Sequence, residues 1–374
     1  MLQNLHKSGL LIVCVVLALS LTSCKNKEES TAPKSLNFYN WSEYIDPAVI
    51  TEFEAESGIK VQYDLFDSQE VVESKMLAGD SGYDLVVIGS NFMERFISNK
   101  LAYKLDKSLL PNLVNADPNF LKVLASFDAN NEHAINYLWG MTAISYNEEL
   151  VKKNLPNANL SSWSLLFDPT SAKALSKCGI AITDNPAEVV ANALIYLKKD
   201  PLSGSIEDLG EAKKLLLAIR PYVKYIDTTK VINDFANKEI CIGITYNGDA
   251  NIAQTRADEA KLPIKIKFFV PKEGAVRFFD TLMIPSDAKN IAEAHTFINF
   301  ILKPEIMAKI TNFTQYANSN IQSSQFVDKA VLENTSIYPP KDLESKLISV
   351  RSYSLEYERA LTDVWNSFRT AQAK

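Results

Sequence analysis

The fold of this chain is decided by residues 36–88, which contain LNFYNW (36–41), DPAVITEFEAESG (46–58), IKVQYDLF (59–66), DSQEVVESKMLAG (67–79) and YDLVVI (83–88). The first, third and last of these segments are short and apolar, which is typical of β-strands. The last is apolar nearly throughout, as in a parallel sheet that is covered on both faces. The other two segments predict helices. The order strand–helix–strand–helix–strand predicts a doubly wound α/β fold.

Capping residues mark the predicted helix boundaries in this stretch. Asp46 is a preferred N-cap residue, Pro47 suits the first helical position, and Gly58 suits a helix end. Asp67 and Glu70 resemble a capping box that begins the second helix.

The rest of the chain continues the α/β pattern, and 374 residues are enough for about two domains. The sequence predicts helices over 188–198, 206–219, 292–311 with an interruption at Pro304, and 343–373, and strands over 240–246, 264–270 and 278–284.

The N-terminus has the features of an export signal. The apolar run 10–19 is too short to span a bilayer, and it is followed by LTSC (21–24), which looks like a bacterial lipobox. This pattern predicts a lipoprotein signal peptide over 1–23, a lipid on Cys24 that anchors the protein to a membrane, and a flexible tether over 24–35. We therefore expect the protein in the periplasm or at the cell surface. The alternative is a buried N-terminal helix in which Cys24 is incidental.

Two cysteines, Cys178 and Cys241, remain after the signal peptide and the lipidated position are set aside. An even pair in an oxidising compartment most simply forms one disulfide. It would close a loop of about 63 residues and stabilise the fold by about 4 kcal/mol in the chain-entropy account. Two buried free thiols are the alternative.

The composition excludes several functional classes. There are 39 Lys and Arg against 45 Asp and Glu, so the net charge is 39 − 45 = −6, and it is −7 without residues 1–23. An acidic chain without a basic run is a poor nucleic-acid binder. Only His133 and His295 follow the signal peptide, which leaves no His-rich metal site and little material for a catalytic triad. No phosphate-binding glycine loop follows the first strand, so we expect no cofactor and no metal.

Aromatic and acidic side chains recur together at predicted strand ends and loops. They are found in Trp41-Ser42-Glu43-Tyr44, in Tyr246 with Asp249, in Phe278 with Asp280, in Asp184 with Glu188, and around Tyr316. Taken singly, the aromatics could be core residues, Asp184 a helix N-cap and Glu188 a solvated helix residue. Taken together, they suit a linear polyamine, because aromatic faces cover methylenes and attract cations while carboxylates compensate buried ammonium groups.

At these residues the chain resembles the polyamine-binding proteins of bacterial ABC importers, and it is more similar to the putrescine type than to the spermidine type. The segments that carry the resemblance are 38–45, 74–79, 83–87, 271–275, 278–280, 316–318 and 337–340. The resemblance implies a bilobed periplasmic binding protein of type II, in which crossing strands join two doubly wound α/β domains and the ligand lies in the cleft between them. It implies an N-lobe of residues 36–139 and 280–318 and a C-lobe of residues 140–279 and 319–374.

The resemblance also implies a set of ligand-binding residues. They are Trp41, Ser42, Glu43, Tyr44, Ser90, Glu188, Tyr246, Asp249, Phe278, Asp280 and Tyr316. Cys178 and Cys241 match the disulfide of the putrescine type. Three positions depart from the pattern of the putrescine type: Tyr246 stands where a Trp is usual, Gly89 stands where a Ser often lines the pocket although Ser90 is adjacent, and Glu43 stands where the putrescine type has Asp and the spermidine type has Glu.

The function implied is capture of putrescine or spermidine by hinge closure and delivery to the permease subunits of an ABC transporter. We expect a monomer without enzymatic activity. The alternatives are a protein of the same fold that binds an oligosaccharide or amino acid, a secreted hydrolase that uses two acids, and a polyamine sensor.

Overall fold

One mixed sheet of ten strands organises residues 33–371, which are the residues that the computed structural model describes. The predicted signal peptide, Cys24 and residues 24–32 of the predicted tether lie outside them. The strands are β1 (Ser35–Trp41), β2 (Lys60–Phe66), β3 (Leu85–Gly89), β4 (Ala134–Asn147), β5 (Ile180–Ile182), β6 (Tyr225–Ile226), β7 (Ile242–Tyr246), β8 (Ile266–Phe269), β9 (Ala275–Met283) and β10 (Leu347–Ile348).

Helices connect and cover these strands. In chain order they are α1 (Pro47–Ser57), α2 (Gln69–Ala78), α3 (Ser90–Ser98), α4 (Pro118–Leu124), α5 (Glu148–Asn154), α6 (Ser164–Phe167), α7 (Pro169–Leu175), α8 (Pro186–Tyr196), α9 (Ile206–Ile219), α10 (Val231–Ala236), α11 (Asn247–Glu259), α12 (Ile291–Ile301), α13 (Pro304–Thr314), α14 (Lys329–Leu332), α15 (Lys341–Glu344) and α16 (Leu355–Thr370). Short 3-10 turns lie at Lys107–Leu109, Pro111–Asn115, Ala129–Asn131, Ser176–Cys178, Arg220–Tyr222 and Ser323–Gln325.

The strand order is β2-β1-β3-β9-β4-β7-β5-β6. Strands β1, β2 and β3 pair in parallel at one end, and β5, β6 and β7 do so at the other. Between these groups, β9 is antiparallel to β3, β4 is antiparallel to β7, and β9 and β4 are antiparallel to each other. Outside this order, β10 pairs in parallel with β9, and β8 pairs antiparallel with β4. Two parallel α/β halves are therefore joined by two crossing strands, as the resemblance to the polyamine-binding family implied.

The crossing strand β4 belongs to both halves of the sheet. Residues Ala134–Thr142 pair with β9, and residues Thr142–Tyr146 pair with β7. All fourteen of its residues are buried, so it shows no alternation of polar and apolar side chains. A register shift between Asn136 and Leu138 interrupts its pairing with β9.

Each half of the sheet has its own hydrophobic core, which makes the molecule bilobed. Phe38, Leu85 and Phe297 pack between the first half and α12. Val190 and Phe368 pack between the second half and helices α8 and α16. A fully buried side chain of this size contributes about 2–3 kcal/mol through removal from water.

Residues beyond 319 also contact the crossing strands. Val327, Val331 and Ile337 pack against Trp139 of β4 and Phe279 of β9. The exact division of the chain between the lobes stays a prediction.

Capping explains the limits of α1 and corrects the predicted start of α2. The Asp46 side chain accepts a hydrogen bond from Ala48 N, and Gly58 ends α1 with φ 71°, as predicted. The start of α2 was predicted one residue too early, because Ser68 is its N-cap and accepts from Val71 N.

A disulfide joins Cys178, beside β5, to Cys241, which precedes β7. The two Cα atoms are 5.4 Å apart, and the bridge spans 63 positions of the sequence. It therefore links two neighbouring parallel strands of the second half. No helix within residues 33–371 is both long and apolar enough to cross a membrane.

Candidate functional site

A cavity of about 800 Å³ lies where the two halves of the sheet face each other. Its walls include the segment after β1, the loop between β5 and α8, the start of α11, strand β9 and Tyr316 beyond the end of α13, together with residues of α2, α3 and 351–362. This volume is within the range of small-molecule sites.

Ten of the eleven predicted ligand-binding residues line this cavity. They are Trp41, Ser42, Glu43, Tyr44, Glu188, Tyr246, Asp249, Phe278, Asp280 and Tyr316. Ser90 is 2% exposed and does not line the cavity, whereas its neighbours Gly89 and Asn91 do. Ser90 is the first residue of α3, and its side chain is buried.

The end of β1 positions a first group of cavity residues, within segment 41–44. Trp41 is the last residue of a strand that is held by parallel pairing with β2, and its ring packs on Phe66 with centroids 4.3 Å apart. Glu43 adopts a left-handed backbone with φ 57°, which turns the chain sharply. Tyr44 is thereby brought back into the cavity, where it is 5% exposed.

Two strands and two helix ends position a second group of cavity residues. Tyr246 is the last residue of β7, and Asp249 follows in the first turn of α11. Phe278 and Asp280 are two residues apart in β9, so both side chains point to the cavity face. Tyr316 follows Gln315, which ends α13 in a left-handed conformation with φ 59°.

The aromatic rings form one continuous wall. Tyr44 contacts Tyr316 edge-on at 5.3 Å between centroids, Tyr316 contacts Phe278 at 5.8 Å, and Phe278 contacts Tyr246 at 5.3 Å. Edge-to-face contacts at these distances are favourable, and they leave ring faces available to a ligand.

Two glycines make this wall possible. A Cβ on Gly140 would lie 2.6 Å from Phe278 Cζ and 2.8 Å from Tyr316 Cδ1. A Cβ on Gly248 would lie 2.2 Å from Tyr316 Cε2. Any larger residue at either position would displace Tyr316.

Nine acidic side chains line the cavity, and three of them, Glu188, Asp249 and Asp280, each accept a hydrogen bond from a neutral hydroxyl. Tyr44 Oη donates to Asp280 Oδ2 at 2.7 Å, and Tyr316 Oη donates to Asp249 Oδ1 at 3.2 Å. The Thr142 hydroxyl donates to Glu188 Oε2. Asp280 and Glu188 are 7% and 4% exposed, while Asp249 is partly exposed.

Burial raises the pKa of all three carboxyl groups. It raises the pKa of Asp280 and of Asp249 from 3.8 to about 7, although the tyrosine hydroxyls oppose the change. Burial, together with the charge of Asp280, raises the pKa of Glu188 from 4.5 to about 7. The cavity without a ligand therefore disfavours its own negative charges.

Glu43 differs from these three acids because it already has a cationic partner. Its Oε1 lies 3.1 Å from Nη2 of Arg256 in α11, and both side chains are partly exposed. The ion pair connects the segment after β1 in one half with α11 in the other, at the mouth of the cavity.

Sequence reasoning missed several residues that shape the site. Thr142 lies in β4, a strand that the sequence did not predict, and Arg256 lies in the last turn of α11. Asn185 is the N-cap of α8, where Asp184 was considered, and it also donates to Tyr246 Oη at 3.1 Å. The Asn185-Pro186 pair was a signal that could have placed this cap.

The cavity also differs from a metal centre. Within residues 33–371, no group of three or more His, Cys, Asp or Glu side chains has a geometry that could hold a metal ion.

These features define a solute-binding protein, and comparison with known families agrees. Residues 48–337 match the family of bacterial extracellular solute-binding proteins, and the chain belongs to this family.

Its relatives include two curated putrescine-binding periplasmic proteins. The chain is 42% identical to PotF of Escherichia coli K12 over 341 residues, which cover 91% of this chain and 92% of PotF. It is 41% identical to SpuD of Pseudomonas aeruginosa UCBPP-PA14 over 96% of this chain and 98% of SpuD. The structure of the spermidine/putrescine ABC transporter substrate-binding protein PotD from Streptococcus pneumoniae superimposes with a TM-score of 0.74 at 27% identity, covering 90% of this chain and 98% of PotD.

Proposed function

We propose that this protein is the substrate-binding component of an ABC importer, and that it captures polyamines, putrescine or spermidine, and delivers them to the permease subunits. The observation that carries the proposal is that Glu188, Asp249 and Asp280, which have no cationic partner among the described residues, share one cavity with an aromatic wall. Within residues 33–371, no Lys, Arg or His nitrogen lies within 4.0 Å of Glu188, Asp249 or Asp280. Such a cavity favours a cationic guest.

The ligand-binding roles of the individual residues are part of this proposal. Asp249 and Asp280 compensate the ammonium groups, and Glu188 adds a third carboxyl group near Asp280. Tyr44, Tyr246, Phe278 and Tyr316 cover the methylene chain together with Trp41, while Ser42 and Glu43 close the mouth. A desolvated cation–π contact is worth up to ~2 kcal/mol.

The alternative ligands fit this cavity less well. A neutral sugar would stack on the rings but would leave the buried carboxyl groups without compensation. An amino acid would bring a carboxylate of its own, and Arg256 at the mouth already pairs with Glu43.

Capture by hinge closure is consistent with the two crossing strands. Bending of β4 and β9 would move residues 36–139 and 280–318 as one lobe against residues 140–279 and 319–374 as the other. The relatives are periplasmic proteins, and we further propose a lipid anchor on Cys24, a monomeric state and no catalytic activity for this chain.

Calorimetry with putrescine, cadaverine, spermidine, spermine, a neutral disaccharide and an amino acid tests the function. We expect binding of at least one polyamine in the micromolar range or tighter and none of the other ligands. Absence of binding to every polyamine would contradict the proposal. Exchange of Asp249 and Asp280 for Asn should abolish amine binding, whereas binding of a sugar would survive it.

A further inference from the structure

Glu188 is placed differently from the two aspartates. It lies in the first turn of α8, where its backbone N–H is capped by Asn185, and the hydroxyl of Thr142 from β4 donates to its side chain. The titratable groups that face it are Asp280 of β9 and Tyr246 of β7. Within residues 33–371, no Lys, Arg or His nitrogen lies within 4.0 Å of its carboxyl group, whereas the charge of Asp280 acts on it.

The three carboxyl groups that accept hydrogen bonds from hydroxyls, and that have no basic nitrogen of residues 33–371 within 4.0 Å, do not balance the charges of a diamine. Glu188, Asp249 and Asp280 supply three negative charges when they are all ionised, and a diamine supplies two positive ones. An uncompensated charge in a buried site costs several kcal/mol. One of the three carboxyl groups must therefore carry a proton when a diamine is bound, whereas a triamine balances all three.

The hydrogen-bond partners indicate which carboxyl group carries the proton. Asp280 and Asp249 each accept a hydrogen bond from a tyrosine hydroxyl. A phenol is a more acidic donor than an alcohol, so this hydrogen bond stabilises the ionised form of the carboxyl group. The alcohol of Thr142 donates to an ionised Glu188, and it accepts equally well from a protonated one. The charge of Asp280 further favours the neutral form of Glu188.

We infer that Glu188 holds a proton in the complex with a diamine and releases it when a triamine binds, so that this side chain adjusts the charge of the cleft to the ligand. The inference rests on the proposed function. It makes Glu188 the residue that determines whether the same cleft accepts a third ammonium group.

The variant Glu188→Gln tests the inference, because the amide imitates a protonated carboxyl group. Titration calorimetry with putrescine and spermidine at pH 7.5, in two buffers of different ionisation enthalpy, gives both the affinity and the number of protons released. We expect putrescine affinity within about threefold of the wild type and spermidine affinity lowered by about tenfold or more, since a buried ammonium loses its counter-charge. The wild type should release about one more proton with spermidine than with putrescine, and the variant should not.

Three results overturn the inference. The variant could lose affinity for putrescine and spermidine equally, or the wild type could release the same number of protons with both amines. The third is a wild type that binds putrescine but not spermidine. Glu207→Gln in α9, which changes an exposed acid, is the matched control. If the Glu188 variant fails to fold, the proton count of the wild type still decides. A wild type that binds neither amine contradicts the proposed function itself, which is a distinct outcome.

Discussion

Replacement of Asp280 by Asn should stabilise the ligand-free protein and abolish its function at the same time. Burial raises the pKa of this carboxyl group from 3.8 to about 7, so the folded protein holds its proton more tightly than the unfolded chain does. The contribution of the neutral carboxyl group to the free energy of unfolding is fully present below pH 3.8, and it is lost as the pH rises through 7. At 1.36 kcal/mol per pH unit, the loss is about 2 kcal/mol at pH 5 and about 4 kcal/mol at pH 8.

The amide introduced by Asp280→Asn carries no charge, and its oxygen still accepts the Tyr44 hydrogen bond. Urea unfolding of the ligand-free variant should therefore show a gain in stability that increases by about 2 kcal/mol between pH 5 and pH 8. Putrescine affinity should fall by two to four orders of magnitude, because loss of a buried counter-charge costs about 3–5 kcal/mol. Asp363→Asn is the control, since that side chain is 71% exposed and pairs with Lys213 at the surface. A stability gain that is independent of pH, or unchanged putrescine binding, would refute this reasoning.

Three further changes test other parts of the structure. Replacement of Cys178 and Cys241 by Ser should lower the free energy of unfolding by about 4 kcal/mol in urea titrations, and an unchanged urea midpoint would contradict this. Arg256→Ala removes the partly exposed ion pair with Glu43, so the melting temperature should barely change. Because this pair connects the two halves at the mouth of the cavity, putrescine affinity should fall by about fivefold at low salt. At high salt, which screens the pair, the affinity should not change. Gly248→Ala should displace Tyr316 at a cost of about 1–3 kcal/mol in binding measured by calorimetry, and wild-type affinity would show that the ring adapts freely.

The beginning of the chain was predictable because its signals are local. Asp46, Pro47 and Gly58 mark the limits of α1 within one short segment, and the apolar runs of β1 and β3 need no partner to be recognised. The error at α2 has the same origin, because Asp67 and Ser68 are adjacent and both are preferred caps.

The centre of the sheet was not predictable in this way. Every residue of β4 is buried, so the strand lacks the alternation that identifies a half-exposed strand, and the hydrogen-bond partners of the acids depend on it and on distant contacts. Tyr44 and Asp280 are 236 positions apart, and Thr142 and Glu188 are 46 apart. The composition of the site followed from a family resemblance, whereas its hydroxyl–carboxyl pairs required the folded chain.

The wall of the cavity also provides an optical signal without any label. The chain has four tryptophans, and of these Trp41 lines the cavity while Trp139, Trp163 and Trp365 are buried elsewhere. Indole emission depends on the polarity around the ring, so a ligand that displaces water from Trp41 changes the intrinsic fluorescence of this residue. A titration followed by emission would report occupancy of the cleft in real time. The variant Trp41→Phe would lack this fluorescence change.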